Sequence, residues 1–347
     1  VGKDAKTAQL YEKSVALLGE HYQSVAAFDR SAVFFRTLYE SDPDFDLENF
    51  PTSKDGLYNS AVFNEALGNT DLAVRDFRDY LKRDDVEAQD KIDIRMRIAH
   101  MLRTTGQDDA AMAEFKKIYS DRDLQSSAFD VVMESHVMYG RLLEAKGENK
   151  QQRSHYRDAL KTFEGKKSGL DSTAEARLWA AEMRFDLLET EFADYATIKM
   201  PTDTKKAKAR LEKKTAGLGD LEKQYVEILE LKQGEWGIAA LYRIGTLYGE
   251  FADALRDAPC PPKLDEDQCS IYKFGLEDKA YPLVDKAVEA LTSARSKSYE
   301  LGLYTDYTQA ALDELSRLRP EEYPPNAEEL PQPDYTSNPY STVSFAK

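Results

Sequence analysis

The 347-residue sequence is short of several kinds of residue, and each shortage excludes a class of protein. Lys and Arg total 47 against 63 Asp and Glu, a formal charge of -16, so the chain lacks the positive charge that neutralises nucleic-acid phosphates. No apolar run approaches the roughly 18 to 20 residues of a membrane-spanning helix. Since 41% of the residues are hydrophobic, the chain can bury a core and we expect it to fold. Its charge and its short apolar runs lead us to expect no nucleic-acid partner and no membrane span.

Sequence motifs of catalysis and metal binding are also missing. The sequence has no phosphate-binding glycine loop and no nucleophile motif. Its histidines are predicted to lie in three or four different hairpins, without a carboxylate or thiol at ligand spacing: His21, His100, His136 and His155. The sequence therefore predicts no catalytic residue, no cofactor and no metal, in a protein that is not an enzyme.

A repeated helical pattern fills the first half of the sequence. Small residues that suit a turn recur at spacings of 42, 38 and 41 residues, at Ala26, Gly68, Gly106 and Gly147. Between these turns, a small residue such as Ala73 lets the second helix of a hairpin approach the first, and an aromatic residue such as Phe77 fills the seam one turn later. The pattern indicates successive helical hairpins.

These hairpins resemble the tetratricopeptide repeat (TPR), a unit of about 34 residues. The segment VALLGEHYQSVAAFDRSAVFFRTLYESDP fits it most fully, with Gly19, Tyr22, Phe35 and Pro43 at repeat positions. Further copies follow it, at 57–77, 92–115 and 136–160. The resemblance implies an all-α fold, a TPR-like helical-repeat superhelix (α-solenoid) that offers a long surface to partners. The alternative is a helical bundle without repeats.

The pattern changes after residue 165. We predict TPR-like hairpins over 1–165, a divergent region of longer helices over 166–318, and an extended tail rich in Pro and Tyr over 319–347. The last two helices are predicted at Asp278–Leu301 and Tyr304–Leu318.

The tail is predicted to be extended because its six prolines prevent a continuous helix. We expect it to pack on helices of its own chain or of a neighbouring copy, because a terminus without its own core becomes ordered only when it docks. The predicted anchors are its aromatic residues, Tyr323, Tyr335, Tyr340 and Phe345.

A second resemblance concerns the later helices. The segment QYVEILELKQGEWGIAALYRIGTLYGEFADALRDAPCPPKL resembles the C-terminal region of TPR proteins from predatory and soil Gram-negative bacteria. Many of those proteins are associated with gliding-motility or cell-envelope complexes, which implies a protein-binding scaffold of the cell envelope. In TPR arrays the inward face of each first helix meets the partner, which selects six residues here: Tyr58, Glu65, Met96, His100, Arg103 and Arg141.

The two cysteines stand nine residues apart in DAPCPPKLDEDQC, a stretch whose prolines predict neither helix nor strand. With no third cysteine and no CxxC spacing, a Cys260–Cys269 disulfide is favoured over a zinc site or a redox pair. Two free cytosolic thiols are the alternative. A disulfide implies the periplasm or the outer surface of a Gram-negative bacterium. Because the sequence opens VGKDAKTAQL, we expect that any export signal has been removed or lies outside the numbering.

Two functions remain open. The first is a scaffold that binds another protein of the cell envelope. The second is a structural subunit that binds copies of itself, held by exchange of the tail or of a groove. The dependence of solution size on concentration distinguishes them.

Overall fold

The computed structural model describes residues 5–167 and 172–324. Within these ranges every regular element is a helix and there is no strand, so the all-α prediction is confirmed. The helices are α1 (Ala5–Ser24), α2 (Phe28–Ser41), α3 (Ser53–Ala66), α4 (Thr70–Tyr80), α5 (Ala88–Thr104), α6 (Asp108–Tyr119), α7 (Leu124–Ser127), α8 (Phe129–Ala145), α9 (Asn149–Lys167), α10 (Ala174–Ala196), α11 (Thr204–Leu229), α12 (Gly234–Arg256), α13 (Glu266–Leu301) and α14 (Asp306–Leu318).

The predicted hairpin turns are confirmed. Each of the four turn residues has a left-handed backbone, with φ of 57° at Ala26, 76° at Gly68, 73° at Gly106 and 76° at Gly147. Glycine adopts this conformation without the steric cost that a Cβ brings, which explains why three of the four turn residues are glycine. The pairs α1/α2, α3/α4, α5/α6 and α8/α9 are therefore helical hairpins with the predicted turns.

The seams of the hairpins are closed by the small and aromatic residues that the pattern predicts. Ala73 and Phe77 on α4, like Ala111 and Phe115 on α6, have no exposed surface. In the fourth hairpin Gly140 on α8 faces the ring of Tyr156 on α9, so closely that a Cβ at position 140 would overlap it. One cluster of buried side chains runs from Leu57 on α3 to Leu142 on α8, and another includes Val15 on α1 and Leu38 on α2.

The contacts divide the chain into two compact units, and the division falls within α10, after Arg184. In the second unit α12 packs along α13 and also contacts α11 and α14. Gly245 on α12 allows this closeness, because a Cβ there would lie 2.5 Å from Leu291 and 3.1 Å from the carbonyl oxygen of Ala287, both on α13. The core of this unit lies where α12, α13 and α14 meet.

Two predictions about the later helices are wrong. The helix predicted to begin at Asp278 begins at Glu266, because Asp265 and Gln268 form a capping box that starts α13 twelve residues earlier. Cys269 consequently lies in the first turn of α13 and not in an irregular loop. The last helix, α14, ends at Leu318 as predicted and begins at Asp306, two residues after the predicted Tyr304.

Candidate partner-binding face

Five of the six predicted partner-binding residues expose part of their surface on α3, α5 and α8, the first helices of the second, third and fourth hairpins. Met96 is the exception, because it is only 8% exposed and its sulfur accepts a hydrogen bond from Ser135 Oγ at 3.3 Å. Tyr58 is half-buried, with its ring centroid 6.0 Å from that of Phe77 and 5.5 Å from that of Tyr80. Tyr58 therefore contributes to the core as well as to the surface.

Polar side-chain pairs link α3 to α5 and α5 to α8. Arg97 Nε on α5 donates to Glu65 Oε2 on α3 at 2.5 Å. His100 Nε2 on α5 lies 3.0 Å from Glu134 Oε1 on α8. These pairs fix the spacing between successive hairpins, and they already occupy two of the predicted residues, Glu65 and His100.

The same arrangement continues from α8 to α10. Arg141 Nε donates to Glu182 Oε1 at 2.8 Å. The Glu182 residue is only 4% exposed, whereas Arg141 is exposed. A buried carboxylate needs such a partner, so the first role of Arg141 is to neutralise Glu182.

Arg103 differs from the other cations on this face. It lies one turn after His100 on α5 and is half-buried. Its Nε is buried and has no hydrogen-bond partner, and no carboxylate among the described residues pairs with its guanidinium. An unsatisfied buried donor costs about 1 to 3 kcal/mol. Arg103 is thus a cation whose Nε finds no acceptor in the described part of the chain.

We call the exposed parts of Tyr58, Glu65, His100, Arg103 and Arg141 the partner face. Glu65 pairs with Arg97 and Arg141 with Glu182, and His100 lies at hydrogen-bond distance from Glu134, whereas Arg103 has no carboxylate partner among the described residues. A ligand that brings a carboxylate or a carbonyl oxygen would satisfy that group.

Two of the four histidines lie against each other, a contact that the sequence did not predict. His136 on α8 and His155 on α9 belong to one hairpin, and His136 Nδ1 lies 3.1 Å from His155 Nε2. Tyr119 stacks on His136 with centroids 4.5 Å apart, and Tyr139 lies 4.8 Å from the His155 ring. Sequence spacing gave no sign of the pair, although the two residues come from facing helices of a single predicted hairpin.

Burial keeps this pair uncharged. Desolvation and the neighbouring His155 lower the pKa of His136 to about 3. Burial also lowers the pKa of His155, against a smaller opposing effect of Asp158. Among the described residues no group of three or more His, Cys, Asp or Glu side chains is placed to hold a metal ion. One ring therefore donates to the other at neutral pH.

The cysteines are paired in the structure. Cys260 and Cys269 form a disulfide with their Cα atoms 5.7 Å apart. The bond joins the segment after α12 to the first turn of α13.

Only the first of the four predicted tail anchors lies within the described residues. The hydroxyl of Tyr323 is 3.2 Å from Thr292 Oγ1, and the Arg295 guanidinium lies 5.3 Å from the centre of its ring. The ring packs against the core of the second unit. The other predicted anchors lie outside the described residues: Tyr335, Tyr340 and Phe345.

None of the described helices is both long and apolar enough to span a bilayer. No family model and no curated protein matches the chain.

Among solved structures, the chain is similar to the C-terminal part of a TPR repeat-containing protein from Cytophaga hutchinsonii, at 13% identity over 87% of this chain and 95% of that one, with a TM-score of 0.37. It is similar to a tetratricopeptide repeat protein from Parabacteroides merdae, at 11% identity over 88% and 98% of the two chains, with a TM-score of 0.36. A TPR repeats protein from Bacteroides fragilis is similar at 11% identity over 88% and 98%, with a TM-score of 0.30. Because the identities are 13% or less and the TM-scores 0.37 or less, these similarities assign no role to any residue of this chain.

Proposed function

We propose that the protein is a non-enzymatic scaffold of a bacterial cell envelope that binds another protein through the partner face. The observation that carries this proposal is Arg103, a half-buried cation with an unpaired Nε. In natural proteins a buried donor usually has a hydrogen-bond acceptor. An unsatisfied donor, with its cost in stability, is found mainly where function requires it. The partner chemistry that fits is a segment with a carboxylate for Arg103 and an apolar group for the exposed edge of Tyr58.

The location rests on the cysteines. Disulfides persist in oxidising compartments and are rare in the cytosol, so the Cys260–Cys269 bond supports the periplasm or the outer surface. Gliding motility is one envelope process such a scaffold could serve, and it rests on the sequence resemblance alone.

The test compares Arg103→Met with Arg95→Ala, a matched control on the same helix whose guanidinium already pairs with Asp121 at 3.2 Å. Envelope proteins of the source bacterium are crosslinked to each variant, captured and identified. We expect Arg103→Met to lose at least ten-fold of the captured partner and to keep or raise the melting temperature, because the substitution removes an unsatisfied donor.

Arg95→Ala should capture the same partner as the unmodified chain. Equal capture by Arg103→Met and by the control would refute the partner face as the binding site. Tyr58→Ala is a poorer probe, since the ring packs on Phe77 and Tyr80 and its loss would destabilise the fold.

The second candidate is a structural subunit that assembles with copies of itself. It is favoured by unusually exposed apolar side chains on α13, which are 73% exposed at Ile271 and 70% at Phe274. Light scattering over a hundred-fold range of protein concentration tests it. A mass that rises with concentration supports self-assembly, and a constant monomer mass refutes it.

A further inference from the structure

The first half of α13 is apolar on two opposite sides. Its outer side carries three large side chains in solvent, Ile271, Phe274 and Tyr281, which are 73%, 70% and 58% exposed. We call these three residues the outer stripe. Ile271 and Phe274 are one turn apart, and Tyr281 follows two turns later on the same side, beyond the exposed Asp278. A surface helix normally presents polar residues to water, so three large exposed apolar side chains on one side indicate a surface that binds a partner or another segment.

The opposite side of the same half-helix borders a groove between α11, α12 and α13 with a volume of about 460 Å³. We call it the α13 groove. Its apolar lining includes Leu211, Phe251, Leu255, Tyr272, Leu276 and Leu283. The volume and composition are typical of sites that accept apolar side chains or ligands. The disulfide lies beside it, since Ala258 and Tyr272 of the groove stand two and three residues from its cysteines.

The polar groups at the groove are positive. Lys208 and Lys279 line it, and no Asp or Glu does. Lys279 has no ion-pair partner among the described residues, and Lys208 reaches Glu212 only at 4.0 Å. Residues 205–213 of α11 carry five exposed cations and one Glu, in a chain whose formal charge is -16. The groove thus combines an apolar floor with a basic rim.

The C-terminal segment of the chain has the complementary chemistry. Residues 325–347 contain three acidic residues and one Lys, together with aromatic side chains suited to apolar sites. The acidic residues are Glu328, Glu329 and Asp334, and the aromatic ones are Tyr335, Tyr340 and Phe345.

The described chain ends beside the second half of α13. Tyr323 contacts Thr292 and Arg295, and the Arg319 guanidinium lies 5.8 Å from the centre of the Tyr281 ring in the outer stripe. Leu276 is sixteen residues before Thr292 on the helix, a distance of about 24 Å. A segment of 23 residues can reach up to about 75 Å, so the groove lies well within range.

We propose that residues 325–347 cover the outer stripe and the α13 groove of the same molecule, with aromatic side chains in the groove and acidic residues on its lysines. The segment acts as an intramolecular cover for an apolar surface that would otherwise bind other chains. This inference does not depend on the partner face, which lies in the other unit.

The decisive experiment is zero-length crosslinking with a carbodiimide, which joins Lys to Asp or Glu only at contact distance. Full-length protein grown in light and in heavy nitrogen is mixed in equal amounts, crosslinked and analysed by mass spectrometry. We expect Lys208 or Lys279 joined to Glu328, Glu329 or Asp334, in peptide pairs that are entirely light or entirely heavy.

Pairs of mixed isotope would show exchange between molecules and would overturn the intramolecular proposal. Absence of these crosslinks would also overturn it, provided the Lys117–Glu114 pair, whose atoms lie 3.2 Å apart, is crosslinked in the same sample.

Hydrogen exchange gives an independent readout. The full chain with Tyr335→Ser, Tyr340→Ser and Phe345→Ser is compared with a matched control, Tyr299→Ser, whose ring is 63% exposed at the other end of α13. We expect amide exchange over residues 267–283 to become at least ten-fold faster in the triple variant and to stay unchanged in the control. Unchanged exchange in both proteins would overturn the proposal, and α5 serves as the internal reference in each.

Discussion

The histidine pair makes the stability of the protein sensitive to mild acid. In the folded chain the pKa of His136 is lowered to about 3 by burial and by His155, while in the unfolded chain it returns to its ordinary value of 6.5. The unfolded state therefore binds a proton as the pH falls below 6.5, and the folded state does not. The stabilisation is complete above pH 6.5 and is lost as the pH falls from there towards 3.

The size of the effect follows from the two pKa values. Lowering the pH from 7.5 to 5.0 reduces the free energy of unfolding by about 2 kcal/mol through His136 alone. His155 acts in the same direction, because its pKa is lowered too. Paired carboxylates contribute mainly below pH 5, since they protonate near their ordinary values of about 4. The window between pH 5.0 and 7.5 therefore reports on the histidines.

The assay is urea unfolding at pH 5.0 and 7.5 for the unmodified chain, for His136→Phe and for His21→Gln. The Phe ring can keep the stacking on Tyr119 but leaves His155 without its hydrogen bond, so we expect a loss of about 1 to 3 kcal/mol at pH 7.5. When the pH is lowered from 7.5 to 5.0, the free energy of unfolding should fall by about 2 kcal/mol less in His136→Phe than in the unmodified chain. His21 is exposed, so His21→Gln should leave the pH dependence unchanged. Identical pH dependence in all three proteins would refute the idea that burial keeps His136 neutral.

Three further predictions concern stability. Non-reduced protein that is alkylated before digestion should show no alkylated Cys260 or Cys269, and reduction should lower the free energy of unfolding by up to about 2.7 kcal/mol, the chain-entropy value for a loop of about ten residues. Gly140→Ala should lower it by about 1 to 3 kcal/mol in thermal unfolding, because its Cβ would overlap a buried tyrosine ring, whereas Gly165→Ala, with open space around it, should stabilise α9 by about 0.5 to 1 kcal/mol. Asp76→Ala should cost about 3 to 5 kcal/mol in urea unfolding, because this fully buried carboxylate accepts hydrogen bonds from two arginines and a serine; a loss below 1 kcal/mol would contradict that role.

The hairpins of the first unit could be predicted from the sequence because their determinants are local. A turn residue with a left-handed backbone, such as Gly106, and a small residue facing the first helix, such as Ala111, lie within a few positions of each other. The start of α13 was also readable, since Asp265 and Gln268 have capping-box spacing. The prolines at 259, 261 and 262 suggest an irregular segment, but all three precede the start of α13 and are compatible with a helix from Glu266.

The side-chain pairs could not be predicted, because they join residues that only the packing of hairpins brings together. Arg97 and Glu65 are 32 residues apart, and Arg141 and Glu182 are 41 residues apart. Many Arg and Glu residues could have formed such pairs, and the sequence does not say which helix faces meet. The partner-face residues came from a family resemblance, which locates a surface but does not distinguish a paired cation from an unpaired one.

That distinction bears on how the partner face can bind selectively. A ligand carboxylate placed near Arg141 would compete with the buried Glu182 for the same guanidinium, so the exchange brings little net gain. The same holds for Arg97, which Glu65 already occupies. At Arg103 no internal bond to the buried Nε is lost, and a new charge-assisted hydrogen bond is gained. In the proposed scaffold, these polar pairs between hairpins thus leave Arg103 as the position on the partner face where a partner's carboxylate gains most.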